Sequence, residues 1–508
     1  MSTTAKTRDQ LELFTDIVFS VAPAYSLATD AFSHDAVCSQ AARAALEEGY
    51  IHLMEETDQF NRQLVSFQTN KTEMLHGWIS YREGFSPTLV EMLLQEFGVE
   101  PGDLVLDPFA GSCTTLLTAK MLGINATGIE LLPNCHLAWE AKSRVFDYAV
   151  SELRIVRELL HTTTPPSTAV PFPHLVITES AFPEQTEQDL MAYTVWIDEM
   201  QDVSENTRLL LKFALTSILE RVSYTRKDGQ YLRWDTRAKK LEQRNAARVM
   251  RSQEPIQGID KGDLPGVKDS LTAALDRIIG DIARLQQQPP PPSRQILLKG
   301  NLLTVLPGLA PDQFAAVITS PPYANRYDYT RTYALELAYL GVGDDIFRLR
   351  QALLSCTVEN RSKLDDLKAH YASIGQHARW EHIAEVVQNH VALREINTAL
   401  RVRNQRGDIN NAGVLTMIDQ YFTELTFVYA ELFRTCRRNA YVAFVNDNVR
   451  YAGEIIPVDV LSTDLARQVG FEPVKIYVLP QRKGNSSQQM GRFGRAALRK
   501  SITIWRKP

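Results

Sequence analysis

Seven short apolar runs divide the 508-residue chain, and most are separated by helical patterns rather than by turns. The runs are DLVLD (103–107), ATGIE (126–130), QILLKGN (295–301), AAVITS (315–320), AYVAFVN (440–446), VKIYVLP (474–480) and SITIWR (501–506). TTLLTAKML (114–122) and VDVLSTDLARQV (458–469) are two of the intervening helical patterns. Strands alternating with helices imply βαβ units and a mostly parallel sheet covered on both faces. The expected fold class is therefore α/β with a seven-stranded, mostly parallel sheet. The last two runs are joined by a Gly/Ser/Arg-rich stretch, 481–500, which predicts an antiparallel hairpin at one sheet edge.

Two long stretches interrupt the alternation. Residues 141–295 carry helical periodicity (SELRIVRELL, NTRLLLKFALTSILERV, DSLTAALDRIIGDIARL) and end in QQQPPPPS, a stiff polyproline-type linker. Residues 341–415 are polar and helix-prone. Both read as large helical insertions. With 44% hydrophobic and 23% charged residues the composition is that of a soluble globular protein. No apolar run approaches the roughly 20 residues that span a bilayer. The start, MSTTAKTRDQLELF, lacks a basic segment followed by an apolar core. The five cysteines are odd in number and scattered, so neither a disulfide framework nor a zinc pattern follows from them. A cytoplasmic location is expected, and no metal.

A net charge of −5 conceals strong local bias. Residues 1–70 hold ten acidic and four basic side chains, whereas 221–251 hold ten basic and three acidic ones. The tail 481–508 has eight basic residues and no acidic one. Two basic faces on a mildly acidic protein suit a polyanion.

The stretch GDLVLDPFAGSCTTLLTAKMLG (102–123) reads as strand, glycine turn, helix. Gly111 keeps side-chain bulk away from a ligand crossing the strand ends, and the helix starting near Thr114 offers free N–H groups to an anion. Glu130 ends the second run, where a carboxylate accepts both hydroxyls of a ribose. On these residues alone the nucleoside belongs either to a dinucleotide or to S-adenosylmethionine. Asn301, after the third run, reads either as an acceptor for an adenine amine or as a turn asparagine. The fourth run ends in Ser320-Pro321-Pro322-Tyr323. Two adjacent prolines cannot continue a sheet ladder. They aim a backbone carbonyl into the crevice, Ser320 adds a second acceptor, and Tyr323 supplies a flat face. This set suits a planar heterocycle bearing an exocyclic amine.

DPFAGSCTT and TSPPY together resemble the DNA amino-methyltransferases, which methylate N4 of cytosine or N6 of adenine with S-adenosylmethionine. The resemblance covers roughly 76–140, 296–340 and 416–508, about half the chain, and implies a class I, Rossmann-like methyltransferase sheet. Ser in the first tetrapeptide position resembles the N4-cytosine group. HGWISYREGFSPTLVEMLL (76–94) resembles the additional cofactor segment of the family, with Phe85 and Ser86 as its contacts. Carried over by match, Asp107, Phe109, Ala110, Gly111, Ser112 and Thr114 frame the methionine end of the cofactor. Glu130 would hold the ribose, Asn301 the adenine, and Ser320, Pro321, Pro322 and Tyr323 the target base. Cys113 departs from the family by standing where a second glycine is usual. The large insertion also falls before the third strand rather than after it.

The implied organisation is a mainly helical acidic segment (1–75), the cofactor half of the core (76–140) and an insertion serving target recognition (141–295). The catalytic motif (296–340), a second insertion (341–415) and the last core strands with their basic loop (416–508) follow. A base inside a duplex must be flipped out, which needs contacts to the backbone and to neighbouring bases. Arg226, Lys227, Arg233, Trp234 and Arg237 form one candidate DNA face, and Arg482, Lys483, Asn485, Gln488 and Arg492 a second. An RNA amine methyltransferase and an inactive DNA-recognition subunit of a defence complex remain as alternatives. No nuclease domain is recognisable, so cleavage would need a separate endonuclease.

Overall fold

The computed structural model describes residues 36–228, 232–480, 493 and 498–508. The seven runs all form strands: β2 (Leu104–Asp107), β3 (Asn125–Glu130), β6 (Gln295–Lys299), β7 (Phe314–Thr319), β8 (Cys436–Asp447), β11 (Glu472–Leu479) and β12 (Lys500–Arg506). An eighth, β1 (Met54–Glu56), joins them in the order β1-β11-β12-β8-β7-β2-β3-β6. Two small hairpins stand apart, β4 (Thr225–Lys227) with β5 (Leu232–Trp234), and β9 (Val449–Tyr451) with β10 (Glu454–Ile456). β12 runs antiparallel to both β8 and β11, and the remaining ladders of the large sheet are parallel. The terminal hairpin is thus antiparallel as expected, but it lies one strand inside the edge. β1 pairs with β11 through Met54↔Ile476 and Glu56↔Val478 and covers it.

From β2 the chain builds outward through β3 and β6 on one side, and β7 and β8 occupy the other. That reversal opens a crevice at the carboxyl ends of β2 and β7, the usual ligand position in doubly wound sheets. β7 is buried at every residue, as a parallel strand covered on both faces must be. The helix Thr114–Met121 packs close against β3, because Gly128 has no side chain. A Cβ there would stand 2.9 Å from Ala110 and from Leu116.

Four helices of thirteen residues or more lie between Val150 and Leu285 and share one apolar core: Val150–Thr162, Glu184–Glu199, Glu205–Val222 and Val267–Leu285. Leu271, Leu275, Ile278, Ile279 and Ile282 give the last of these a single buried stripe at helical spacing. Among the described residues no helix is long and apolar enough to cross a membrane.

The helix Ala41–Tyr50 is fastened by buried ion pairs rather than by apolar burial alone. Arg43 pairs with Glu395 and Glu454 at 2.9 Å, and Glu47 pairs with Arg499, which also holds Asp459 at 2.6 Å. Removing one partner of such a cluster leaves the others buried and uncompensated. Arg499→Met is expected to lower the free energy of unfolding by about 3–5 kcal/mol. A shift of the urea midpoint at constant slope would show it, and an unmoved midpoint would refute it.

Candidate active site

The turn after β2 is organised by Asp107. Its Oδ1 accepts from the Phe109 amide (3.1 Å) and the Thr319 hydroxyl (2.6 Å), and its Oδ2 accepts from the Thr115 hydroxyl (2.8 Å). Burial pushes this carboxyl up to about 6 in spite of the three donors. Gly111 has φ +50°, and a Cβ on it would sit 2.9 Å from the ring of Tyr81. Cys113 is fully buried and takes a left-handed conformation, φ 64°, as it caps the helix. That backbone state explains why glycine is the commoner choice there.

Glu130 closes the turn from β3. Its carboxylate accepts from the backbone N–H groups of Gly111 (2.8 Å), Leu131 (2.8 Å) and Leu132 (2.7 Å). Burial raises it to about 7, and those three donors temper the rise. Three of about four acceptor positions on a carboxylate are thereby used. One acceptor position is left, against the two that the expected ribose contact would need. Asn301 caps the short helix Leu302–Val305 by accepting from the Leu303 amide at 2.9 Å, so its oxygen has one lone pair to spare.

A cavity of about 640 Å³ lies over these strand ends. Phe109, Glu130, Asn301, Ser320 and Pro322 line it, together with Tyr81, Glu83 and Tyr329 and the apolar wall Ala352–Leu354. It pairs apolar walls with a few polar groups, as small-molecule sites do. Asp107, Ala110, Gly111, Ser112 and Thr114 are not among the residues that line it. Phe85 and Ser86 also stand back. Phe85 packs with Leu89, Val105 and Leu116, and Ser86 caps the helix Pro87–Glu96 by accepting from the Leu89 amide. Their segment does reach the cavity, through Tyr81 and Glu83. The aromatic-acidic pattern SYREGF is the sequence signal for these two.

A second cavity, of about 1050 Å³, opens on the other side of the Ser-Pro-Pro-Tyr turn. Ser320, Pro321 and Tyr323 line it with Asn325, Tyr327, Asp447 and Lys500. The Ser320 hydroxyl donates to the Tyr323 hydroxyl at 3.1 Å, and the Lys500 ammonium stands 5.2 Å from the centre of the Tyr323 ring. Glu83, Ser320 and Tyr329 border both cavities. A planar group entering by the second cavity therefore meets a ligand in the first beside Ser320.

Of the candidate DNA contacts, Arg226 and Arg233 are directly opposed on β4 and β5 and point outward, with Asp228 at 2.7 Å from Arg233. Lys227 and Trp234 point inward, a correction to their expected role. Lys227 is 2% exposed and ion-paired with Glu336, and Trp234 is buried under the Arg244 guanidinium. Alternation along a strand makes this unavoidable, since neighbours face opposite sides. Arg237 is half-exposed and grips Asp235 with two hydrogen bonds, at 2.7 and 2.9 Å. Asp228 lines the second cavity, so the hairpin reaches the mouth of the site. Arg482, Lys483, Asn485, Gln488 and Arg492 lie outside the described residues.

Residues 53–139 match a family model described as DNA methylase, N6_N4_Mtase. The type II methyltransferase M.BsoBI of Geobacillus stearothermophilus is 56% identical over 480 residues, covering 94% of each chain. M.AvaI, a type II methyltransferase of Nostoc sp. and Anabaena variabilis, is 37% identical over 473 residues, covering 91% of this chain and 93% of its own. M.MjaII of Methanocaldococcus jannaschii, also a type II methyltransferase, is 38% identical over 99 residues, 19% of this chain and 18% of its own. Identity at this level along almost the whole length, on a Rossmann-like sheet with both motifs at its switch point, places the chain in the DNA amino-methyltransferase family.

Proposed function

We propose that the protein transfers a methyl group from S-adenosylmethionine to the exocyclic amine of a base flipped out of DNA, and that the amine is N4 of cytosine. The observation that carries this is the meeting of two cavities at Ser320, one with an acidic and an amide group suited to a nucleoside, the other open and aromatic. When bound, S-adenosylmethionine supplies an electrophilic methyl on a sulfonium. Glu130 would take a ribose hydroxyl and Asn301 the adenine amine, while Ile129, Leu131 and Leu354 enclose the rings.

On the other side, the hydroxyl of Ser320 and the backbone carbonyls of the proline turn accept the two amine hydrogens. The nitrogen lone pair is then turned toward the first cavity. Tyr323 stacks on the base with the ring face away from Lys500, returning about 1–3 kcal/mol of the flipping cost. A hydroxyl rather than a carboxylate in the first tetrapeptide position supports cytosine over adenine. The hairpin β4–β5 and the helices from 150 to 285 would read the target, with Arg226 and Arg233 on phosphates. A separate endonuclease of the same specificity is the partner implied, and the cytoplasm the location.

Incubation with labelled S-adenosylmethionine and DNA, followed by nucleoside analysis, tests the reading. N4-methylcytosine is expected, N6-methyladenine would overturn the choice of base, and label confined to RNA would overturn the substrate. Tyr323→Ala should lower turnover at least about 100-fold while calorimetric affinity for the cofactor is kept; undiminished turnover would remove Tyr323 from base holding. Glu130→Ala should weaken cofactor binding about tenfold, the worth of one charge-assisted hydrogen bond. Replacing Arg226 and Arg233 together by Gln should flatten the slope of log K against log salt by about 2, close to 0.9 per phosphate contact.

A further inference from the structure

Among the described residues Glu83 is the carboxylate that borders both cavities. Glu130 lines only the first and is engaged by three backbone amides, and Asp228 and Asp447 line only the second. Ser320 also borders both cavities but is a poor proton acceptor, since a neutral hydroxyl has no basicity near pH 7. Resting on the methyl-transfer reading above, we propose that Glu83 is a further catalytic residue, the group that takes the proton leaving the target amine.

The step balances as follows. The amine lone pair forms the new N–C bond as the S–C bond breaks, its electron pair staying on sulfur as a neutral thioether. The nitrogen is left with a positive charge and two hydrogens. One proton passes to the Glu83 carboxylate while the N–H electron pair returns to nitrogen. The resulting carboxylic acid then loses its proton to water through the open second cavity.

Glu83 is positioned for this by groups on several elements. The Tyr333 hydroxyl donates to Oε2, itself accepts from the Arg82 amide at 3.0 Å, and its ring stacks on Tyr81 at 5.1 Å. The Lys227 ammonium sits 4.7 Å from the centre of the Tyr333 ring, fixed there by Glu336 and Glu220. The charged and titratable groups facing Glu83 are therefore Lys227 on β4, Arg82 and Tyr81 on its own segment, and Tyr329 and Tyr333 beyond the proline turn. Arg62, Asp228, Asp447 and Lys500 line the base-side cavity, and Glu130 lines the cofactor side. Burial lifts the Glu83 carboxyl to about 7, moderated by the Tyr333 hydrogen bond and by Lys227 and Arg82. A proton acceptor is most effective when its affinity lies near the working pH.

The test uses the full-length protein with tritiated S-adenosylmethionine and DNA from a methylation-deficient host. In the unaltered protein turnover should fall tenfold per pH unit below about 7. Glu130 and Asp107, raised to about 7 and about 6, titrate in the same window, so variants must assign that limb. Glu83→Gln should lose at least about 100-fold in kcat and flatten the limb. Its calorimetric affinity for S-adenosylhomocysteine and its thermal midpoint should stay those of the parent. Retention of the limb with kcat within about threefold would overturn the proposal, as would loss of the limb in Asp447→Asn instead. If Glu83→Gln does not fold, Glu83→Asp decides: a shifted limb supports the role and an unshifted one overturns it. Absence of methyl transfer by the unaltered protein is a separate result, and it would overturn the methyltransferase reading itself.

Discussion

The Asp107 carboxylate joins the end of β2, the glycine turn and the start of the following helix to the end of β7, 212 residues away in sequence. The first cavity takes Phe109 from one side of that junction and Ser320 from the other, and the second cavity begins at Ser320. A buried carboxylate with short contacts to two hydroxyls and an amide costs desolvation, which its raised protonation range records. What it secures is register. β2 and β7 cannot slide past one another without leaving that carboxylate unsatisfied in the interior.

How much of this was legible depends on what each residue must do locally. The seven core strands were readable because parallel strands covered on both faces are short continuous apolar runs. β1 was not, since Met54, Glu55 and Glu56 carry no apolar run and owe their strand state to pairing with β11. Glu130, Asn301 and the Ser-Pro-Pro-Tyr turn were singled out by chemistry at strand ends and Phe109 by the family resemblance, and all of them line a cavity. On the segment 76–94 the two expected contacts, Phe85 and Ser86, are residues that pack and cap. Phe85 and Ser86 satisfy the helix Pro87–Glu96, and the cavity takes Tyr81 and Glu83 from the turn before it. A similar confusion befell Lys227 and Trp234, whose composition suggested a surface and whose strand phase buried them.

The stretches that interrupt the α/β alternation are not appendages to the site. Ala352, Leu353 and Leu354 close one wall of the first cavity, and Asp228 lies at the rim of the second. Lys227 reaches inward from the same hairpin to the Tyr333 ring and Glu336. A surface arginine pair and an interior lysine thus stand on adjoining residues of one small hairpin, so whatever bears on its outer face bears also on the aromatic stack behind Glu83.

The helix Ala41–Tyr50 has a different bearing, on the order in which the chain can mature. Arg43 finds Glu395 and Glu454, and Glu47 finds Arg499, at separations of 352, 411 and 452 residues. During synthesis this early helix must therefore wait for nearly the entire polypeptide to emerge before its charges have partners. Such long-range closure slows maturation and prolongs the exposure of incomplete chains. A product cut short before Arg499 has no partner for Glu47, and the helix Ala41–Tyr50 carries unmatched charge in place of a docking site. Completion of the C-terminus is in this way a condition for the N-terminus to settle.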